Sequence, residues 1–201
     1  MAFNRGTLFV TSLTLLLAWL GTAHAGNHFM SSGSRTTQPI GHYEFCQKIP
    51  AECRQKTPKK APIELTQKLW ATISTINHDV NTSVIPATDM EIWGREEVWS
   101  YPIKGMGDCE DYVLEKRRRL MKAGIPAGNL LITVVRQPNG EGHAVLTVHT
   151  SAGDFILDNL EDEVLIWSKT RHTYLKRQST QHSGVWISID DGRADAVASV
   201  R

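Results

Sequence analysis

Apolar residues fall in three kinds of pattern along the chain, and each predicts a different structure. Leu8 to Leu20 is apolar apart from Thr11, Ser12 and Thr14, with Arg5 before it and Ala23-His24-Ala25 after it. A short apolar run between a basic residue and a small-x-small site is the layout of a secretory signal over residues 1–25, with cleavage expected after Ala25. The alternative is an uncleaved anchor, but the run falls short of the roughly 20 residues that cross a bilayer. No later segment is long and apolar enough to span, so no stable membrane insertion is expected once the signal is removed.

Gly26 to Gln38 is rich in Ser, Gly and Thr and lacks periodicity, which predicts a flexible leader over residues 26–40. The second pattern is helical. Leu65, Leu69, Ile73 and Ile76, widened by Trp70, predict a helix over Ile63 to Ile76. Asp79 to Pro102 contains Asn81, Pro86, Asp89 and Gly94 and reads as loop with short elements. Val113, Leu114, Leu120 and Met121 predict a second helix from Asp108 to Ala123, closed by Gly124. Its remaining face is basic, with Lys116, Arg117, Arg118, Arg119 and Lys122. That face reads as a solvated surface or as an anionic docking patch.

After Pro126 the pattern becomes one of strands. Leu130 to Arg136, His143 to His149, Phe155 to Leu157, Val164 to Trp167 and Val185 to Ile189 are short and apolar or alternating. Turns are marked by Pro138-Asn139-Gly140 and Ser151-Ala152-Gly153. Helices followed by an antiparallel sheet make an α+β domain, placed over residues 41–190 with a tail over 191–201.

Composition narrows the choice of partners. Without residues 1–25 the chain has 176 residues, enough for one domain with a buried core, and 21 basic against 21 acidic side chains. Such balance gives no electrostatic reason to expect nucleic acid or an anionic membrane. Export implies an oxidising compartment. Of the three cysteines, Cys46 and Cys53 flank Pro50 closely enough to form a disulfide, which leaves Cys109 as an odd thiol. An odd thiol in an exported protein is a reactive group or an intermolecular bridge.

Cys109 stands in Gly105-Met106-Gly107-Asp108-Cys109-Glu110-Asp111-Tyr112. It therefore lies in the first turn of the second helix, where unsatisfied N–H groups favour an anion. An ordinary thiol is only about 3% ionised at pH 7. A helix start and an imidazolium together turn it into a nucleophile. Asp108 and Glu110 oppose this by repelling a thiolate. Either they are only a cap and a first-turn charge, or a cation such as calcium sits between them.

A base is needed, and seven histidines follow the signal: His28, His42, His78, His143, His149, His172 and His182. His143 stands out because it follows Gly142 and opens a strand after the helix. His149 shares its face but lies about 20 Å further along, too far for a common metal ion. Beyond residue 25 there is no C-x-x-C or H-x-x-x-H pair, so a zinc site is not expected. Asp158, fifteen residues after His143, is the acid that could orient the imidazole. A turn between Thr150 and Ser151 would set the two directly opposite, a turn at Ala152-Gly153 would offset them, and Asp154 and Asp162 compete for the role. Taken alone, Asp158 also reads as an ordinary strand-end turn residue.

Together these segments resemble the bacterial transglutaminase-like cysteine proteinase family. The likeness is carried by Gly107 through Tyr112, Lys116-Arg117, Gly142 through Leu146, and Gly153-Asp154 through Leu157-Asp158-Asn159-Leu160. Phe45-Cys46 with Cys53, and Asn77 through Asn81 to Pro86-Ala87-Thr88-Asp89, resemble its upstream part. The resemblance implies a papain/transglutaminase-like fold, with Cys109 as nucleophile, His143 as base and then acid, and Asp158 as orienting acid. It also implies calcium at Asp108 and Glu110, and a periplasmic peptidase cutting a large surface adhesin under control of an inner-membrane cyclic-di-GMP receptor. The rivals are amine acyl transfer by the same residues, a non-catalytic docking module, and a structural intermolecular disulfide through Cys109.

Overall fold

The computed structural model describes Met1, residues 27–58 and residues 61–191. The expected signal and nearly all of the expected tail lie outside the described residues. Among the described residues five α-helices and nine strands follow one another: β1 (Ser32–Thr36), α1 (Ile40–Lys48), α2 (Pro50–Cys53), α3 (Gln67–Ser83), β2 (Ile85–Pro86), α4 (Asp89–Trp93), β3 (Met106–Gly107), α5 (Cys109–Lys122), β4 (Leu130–Arg136), β5 (Gly142–Thr150), β6 (Gly153–Leu157), β7 (Leu165–Ile166), β8 (Thr173–Gln178) and β9 (Trp186–Ile189). Seven strands form one sheet in the order β1-β9-β8-β4-β5-β6-β7, every pairing antiparallel. The domain is α+β.

The sheet is buried on both faces, which explains why β4 reads as a continuous apolar run rather than an alternation. On one face Ile132, Ala144, Leu146, Val148 and Leu157 meet Ile73 of α3 and Val113, Leu114 and Leu120 of α5. On the other, Val135, Val145, Ile156 and Tyr174 are covered by Met30 and Trp167. The central helix therefore lies flat on β5 with its first turn at the end where β5 begins.

Two expectations are corrected. The stretch expected as a flexible leader is ordered from residue 27, and Ser32–Thr36 forms edge strand β1 against β9. Its polar side chains hid it, because an edge strand is held through its backbone. What fastens it is Met30, 5% exposed in the second core, whose N–H donates to Asp154 Oδ2 at 2.9 Å. The Asp154 N–H in turn donates to the His28 carbonyl.

The basic face of the second helix is not one surface either. Lys116 and Arg117 are 0% and 2% exposed, whereas Arg118 and Arg119 remain outside and pair with Glu115. Arg117 donates to Glu52 Oε2 of α2 at 2.9 Å and through Nε to the Leu130 carbonyl at 3.1 Å. That arrangement is a tie between α2, α5 and β4.

Cys46 and Cys53 form a disulfide, Cα–Cα 5.6 Å, that joins α1 to α2. His42, at 1% exposure, packs against both sulfurs between Trp99 and Trp186. Burial and then the nearby Arg117 charge push it down to about 4, so it is neutral at pH 7. Replacing both cysteines with alanine is expected to cost roughly 2.5 kcal/mol, the loop-closure entropy of so short a ring. Urea unfolding with and without the bridge measures it.

Candidate active site

The start of α5 is shaped by close backbone packing. A Cβ on Gly107 would lie 2.6 Å from the Asp111 Cβ, so only glycine lets the Asp111 side chain fold back over β3. Asp111 Oδ1 there accepts from the Ser100 N–H at 2.9 Å. Asp108 occupies the cap position but makes no side-chain capping bond. Instead its carboxyl turns toward Asp89 and Asp111.

Cys109 is a free thiol at the first position of α5. Its S–H is directed at Glu110 Oε2, 3.1 Å away. Burial, then the charge and hydrogen bond of Glu110, push the thiol well above its usual range, with the Ala144 N–H pulling the other way. In this arrangement the sulfur is protonated. Cys109 and His143 line one cavity of about 470 Å³ with Thr88, Asp108 and Leu160, and a second beside Trp99 and Glu97.

His143 is 6% exposed, and its Nε2 lies 2.8 Å from Asp158 Oδ1. Burial alone would raise the Asp158 carboxyl. Hydrogen bonds from His143 and His172, the His143 charge and the Leu160 N–H more than offset it and hold the group well below the carboxylate range. An ionised Asp158 can only accept, so the proton between them sits on His143 Nε2, and Nδ1 is the nitrogen turned away from the carboxylate. The β5–β6 register pairs Thr150 with Gly153 and Leu146 with Leu157. Continued by one pair, it sets Asp158 opposite Val145, two residues along the same strand face from His143. The turn thus falls between the two considered from sequence. Asp154 is engaged elsewhere, with His149, Arg177 and the Met30 N–H.

Three supports were given no role in the sequence. His172 Nε2 lies 2.8 Å from Asp158 Oδ2. From α3, Asn81 donates to the Asp158 carbonyl at 2.9 Å and Asn77 to the Asp162 carbonyl at 3.4 Å, so the helix grips the loop that carries Asp158. In the sequence, Asn77 and Asn81 entered only as part of the segment that resembles the family's upstream part.

Asp89, Asp108 and Asp111 bring carboxylate oxygens within 4.8 Å of one another. One buried oxygen of each, Asp89 Oδ1, Asp108 Oδ1 and Asp111 Oδ2, has no hydrogen-bond partner. Burial and then mutual repulsion raise Asp108; burial foremost pushes Asp111 up to about 7. Unpartnered buried oxygens on three converging acids suit a hard cation such as calcium. Of the two expected ligands, Asp108 belongs to this cluster. Glu110 lies outside the three-oxygen group and faces Cys109; burial and then Asp108 push it up to about 8.

Residues 32–194 match the model of the bacterial transglutaminase-like cysteine proteinases. The chain belongs to that family. It is thus a transglutaminase-like cysteine peptidase, and its α+β fold is the family's. Solved structures of Legionella pneumophila LapG are similar: one at 25% identity covers 65% of this chain and 76% of that one, TM-score 0.51. An EGTA-treated LapG is also 25% identical, over 64% and 77%, TM-score 0.51. A calcium-bound LapG, 23% identical over 75% and 81%, TM-score 0.52, shares the fold. None of the curated proteins matches this chain. No helix among the described residues is long and apolar enough to cross a membrane.

Proposed function

We propose that this proteinase hydrolyses a peptide bond of a protein substrate with Cys109 as nucleophile, His143 as general base and acid, and Asp158 as the group that orients His143. The observation that carries the reading is a free thiol at a helix start, sharing a cavity with a histidine whose far nitrogen is fixed on an ionised carboxylate. His143 Nδ1 takes the thiol proton, and the sulfur attacks the carbonyl carbon. The resulting oxyanion is met by the Cys109 N–H, one of the first-turn amides with no acceptor inside the helix. The imidazolium then protonates the leaving amine. Water, deprotonated by His143, releases the acid product from the thioester.

Asp89, Asp108 and Asp111 are the proposed calcium ligands, with Glu110 beside them. Bound calcium supplies positive charge next to the acids that flank the sulfur, favouring its ionised form. The proposed setting is the periplasm and the proposed substrate a large surface adhesin, with a cyclic-di-GMP receptor as regulator; these rest on the family likeness.

The test incubates the purified mature chain with the N-terminal region of such an adhesin and identifies products by mass spectrometry. New termini support hydrolysis; isopeptide crosslinks would establish amine transfer instead; an unchanged substrate with calcium present would sink the proposal. EGTA is expected to slow cleavage at least tenfold. Calcium at 100 times its dissociation constant should add about 2.7 kcal/mol of stability, and an unchanged Tm would remove calcium from the account.

A further inference from the structure

Asp158 holds two imidazoles, and the mechanism above uses only one. Oδ1 takes His143 Nε2 and the Leu160 N–H, while Oδ2 takes His172 Nε2, both histidine bonds being 2.8 Å. The two rings stand 5.6 Å apart at 49°. His172 is 8% exposed and lies just before β8, fourteen residues from Asp158 in sequence. A carboxylate bound through one oxygen can turn about its last torsion and carry the attached imidazole with it. One bound through both oxygens cannot. The second bond also sets a limit on how much charge Asp158 offers to His143.

We propose that His172 is a positioning residue that acts through Asp158 to fix the orientation and the tautomer of His143. This rests on the proposed function and deepens it. His172 also lines a cavity of about 380 Å³ with Lys169 and Arg171. That cavity adjoins the one holding Cys109, since Gln137 and Leu160 border both. A substrate side chain entering it therefore touches a residue bonded to the triad's acid.

The expected effect has a direction. Loss of the His172 donor leaves more negative charge on Asp158, which favours the His143 imidazolium. Other titratable groups lining the cavities that His143 borders are Asp108, Cys109, Glu110 and Tyr112 at α5, Glu91 of α4, Glu97 from the loop before Trp99, and Glu141 just before β5; Lys116 of α5 acts on Asp158 by its charge. They remain in place in the variants.

The test follows the His143 ring by NMR titration of the mature chain, alongside kcat and KM on the adhesin substrate. His172→Ala should raise the His143 pKa by about 0.5–1 unit and lower kcat about 10- to 100-fold with KM little changed. His172→Gln, whose amide can reach the same oxygen, should restore most of kcat and the original titration. His172→Asn, whose arm is too short, should behave like alanine and replaces it if the alanine variant does not fold. An unchanged His143 titration in the alanine or asparagine variant overturns the proposal. So does equal loss in the glutamine and alanine variants accompanied only by a lower Tm. The ring titration needs no substrate, so it decides this inference even if the wild-type chain leaves the adhesin uncut.

Discussion

Replacing Cys109 with alanine will remove peptide hydrolysis, a fall of at least about 10⁴-fold in kcat, while Tm moves by less than about 2 °C. The activity loss follows from chemistry, because no other thiol can take over: Cys46 and Cys53 are joined to each other. The small stability effect follows from the sulfur's surroundings. Its S–H points at Glu110, and nearby acids together with burial make ionisation unfavourable in the folded state. Removing it takes away little that holds the fold together. Gel-based cleavage and a thermal melt on the same preparation read both quantities. Retained cleavage would rule out Cys109 as nucleophile, and a large drop in Tm would show the residue to be structural.

The second large effect lies on two adjacent residues of α5 and has opposite signs. Arg117→Met should cost about 3–5 kcal/mol, because it removes the cation paired with the Glu52 carboxylate, which keeps only the Tyr101 O–H, and the donor to the Leu130 carbonyl. Lys116→Met should instead stabilise by about 2–4 kcal/mol at pH 7. Lys116 Nζ is buried without a hydrogen-bond partner. Burial pushes it down to about 7, partly offset by the charge of Asp158. An unfolded lysine titrates near 10.4. Between those two values the unfolded chain binds a proton that the folded chain does not. Stability therefore falls as pH drops from about 10 to 7, and the full cost is present below 7. Urea unfolding at pH 7 and pH 9 should show the methionine variant more stable than wild type at both, with the larger gain at pH 7. A destabilised Lys116→Met would mean that the ammonium has a compensating partner.

The same pair shows what sequence patterning can and cannot resolve. Four consecutive Lys and Arg residues, 116–119, look alike as a charge run, yet burial separates them, because α5 is covered by the sheet on one side and by α3 on another, with Arg117 reaching Glu52 of α2. β4 and β5 were legible because Val, Ile and Leu fill them. β8 was not, since apart from Tyr174 its most buried positions are polar: Arg177 pairs with Asp154, and Gln178 donates to the Ser183 carbonyl. The helix expected over 63–76 runs instead from Gln67 to Ser83. Thr66 caps its start by accepting from the Leu69 N–H, and buried Asn77 carries it past the last apolar residue of the stripe. For the site, Cys109, His143 and Asp158 stood out through motif and order. His172 and Asp89 did not, because each comes from a distant segment and gains meaning only from the carboxylate beside it. The calcium set is shifted for the same reason: sequence offered the neighbours of Cys109, whereas folding brings in Asp89 from the start of α4.

β1 closes on β9, so the first strand of the domain is zipped onto the last. Between Thr36 and Trp186 lie about 150 residues that must be synthesised before that partner exists. A nascent chain emerging from the ribosome can thus assemble its hairpins early, but the outer seam of the sheet stays open until translation has passed residue 189. A premature stop anywhere before β9 would leave β1 unmatched and β8 exposed along one edge, a ready template for self-association rather than a shorter working enzyme.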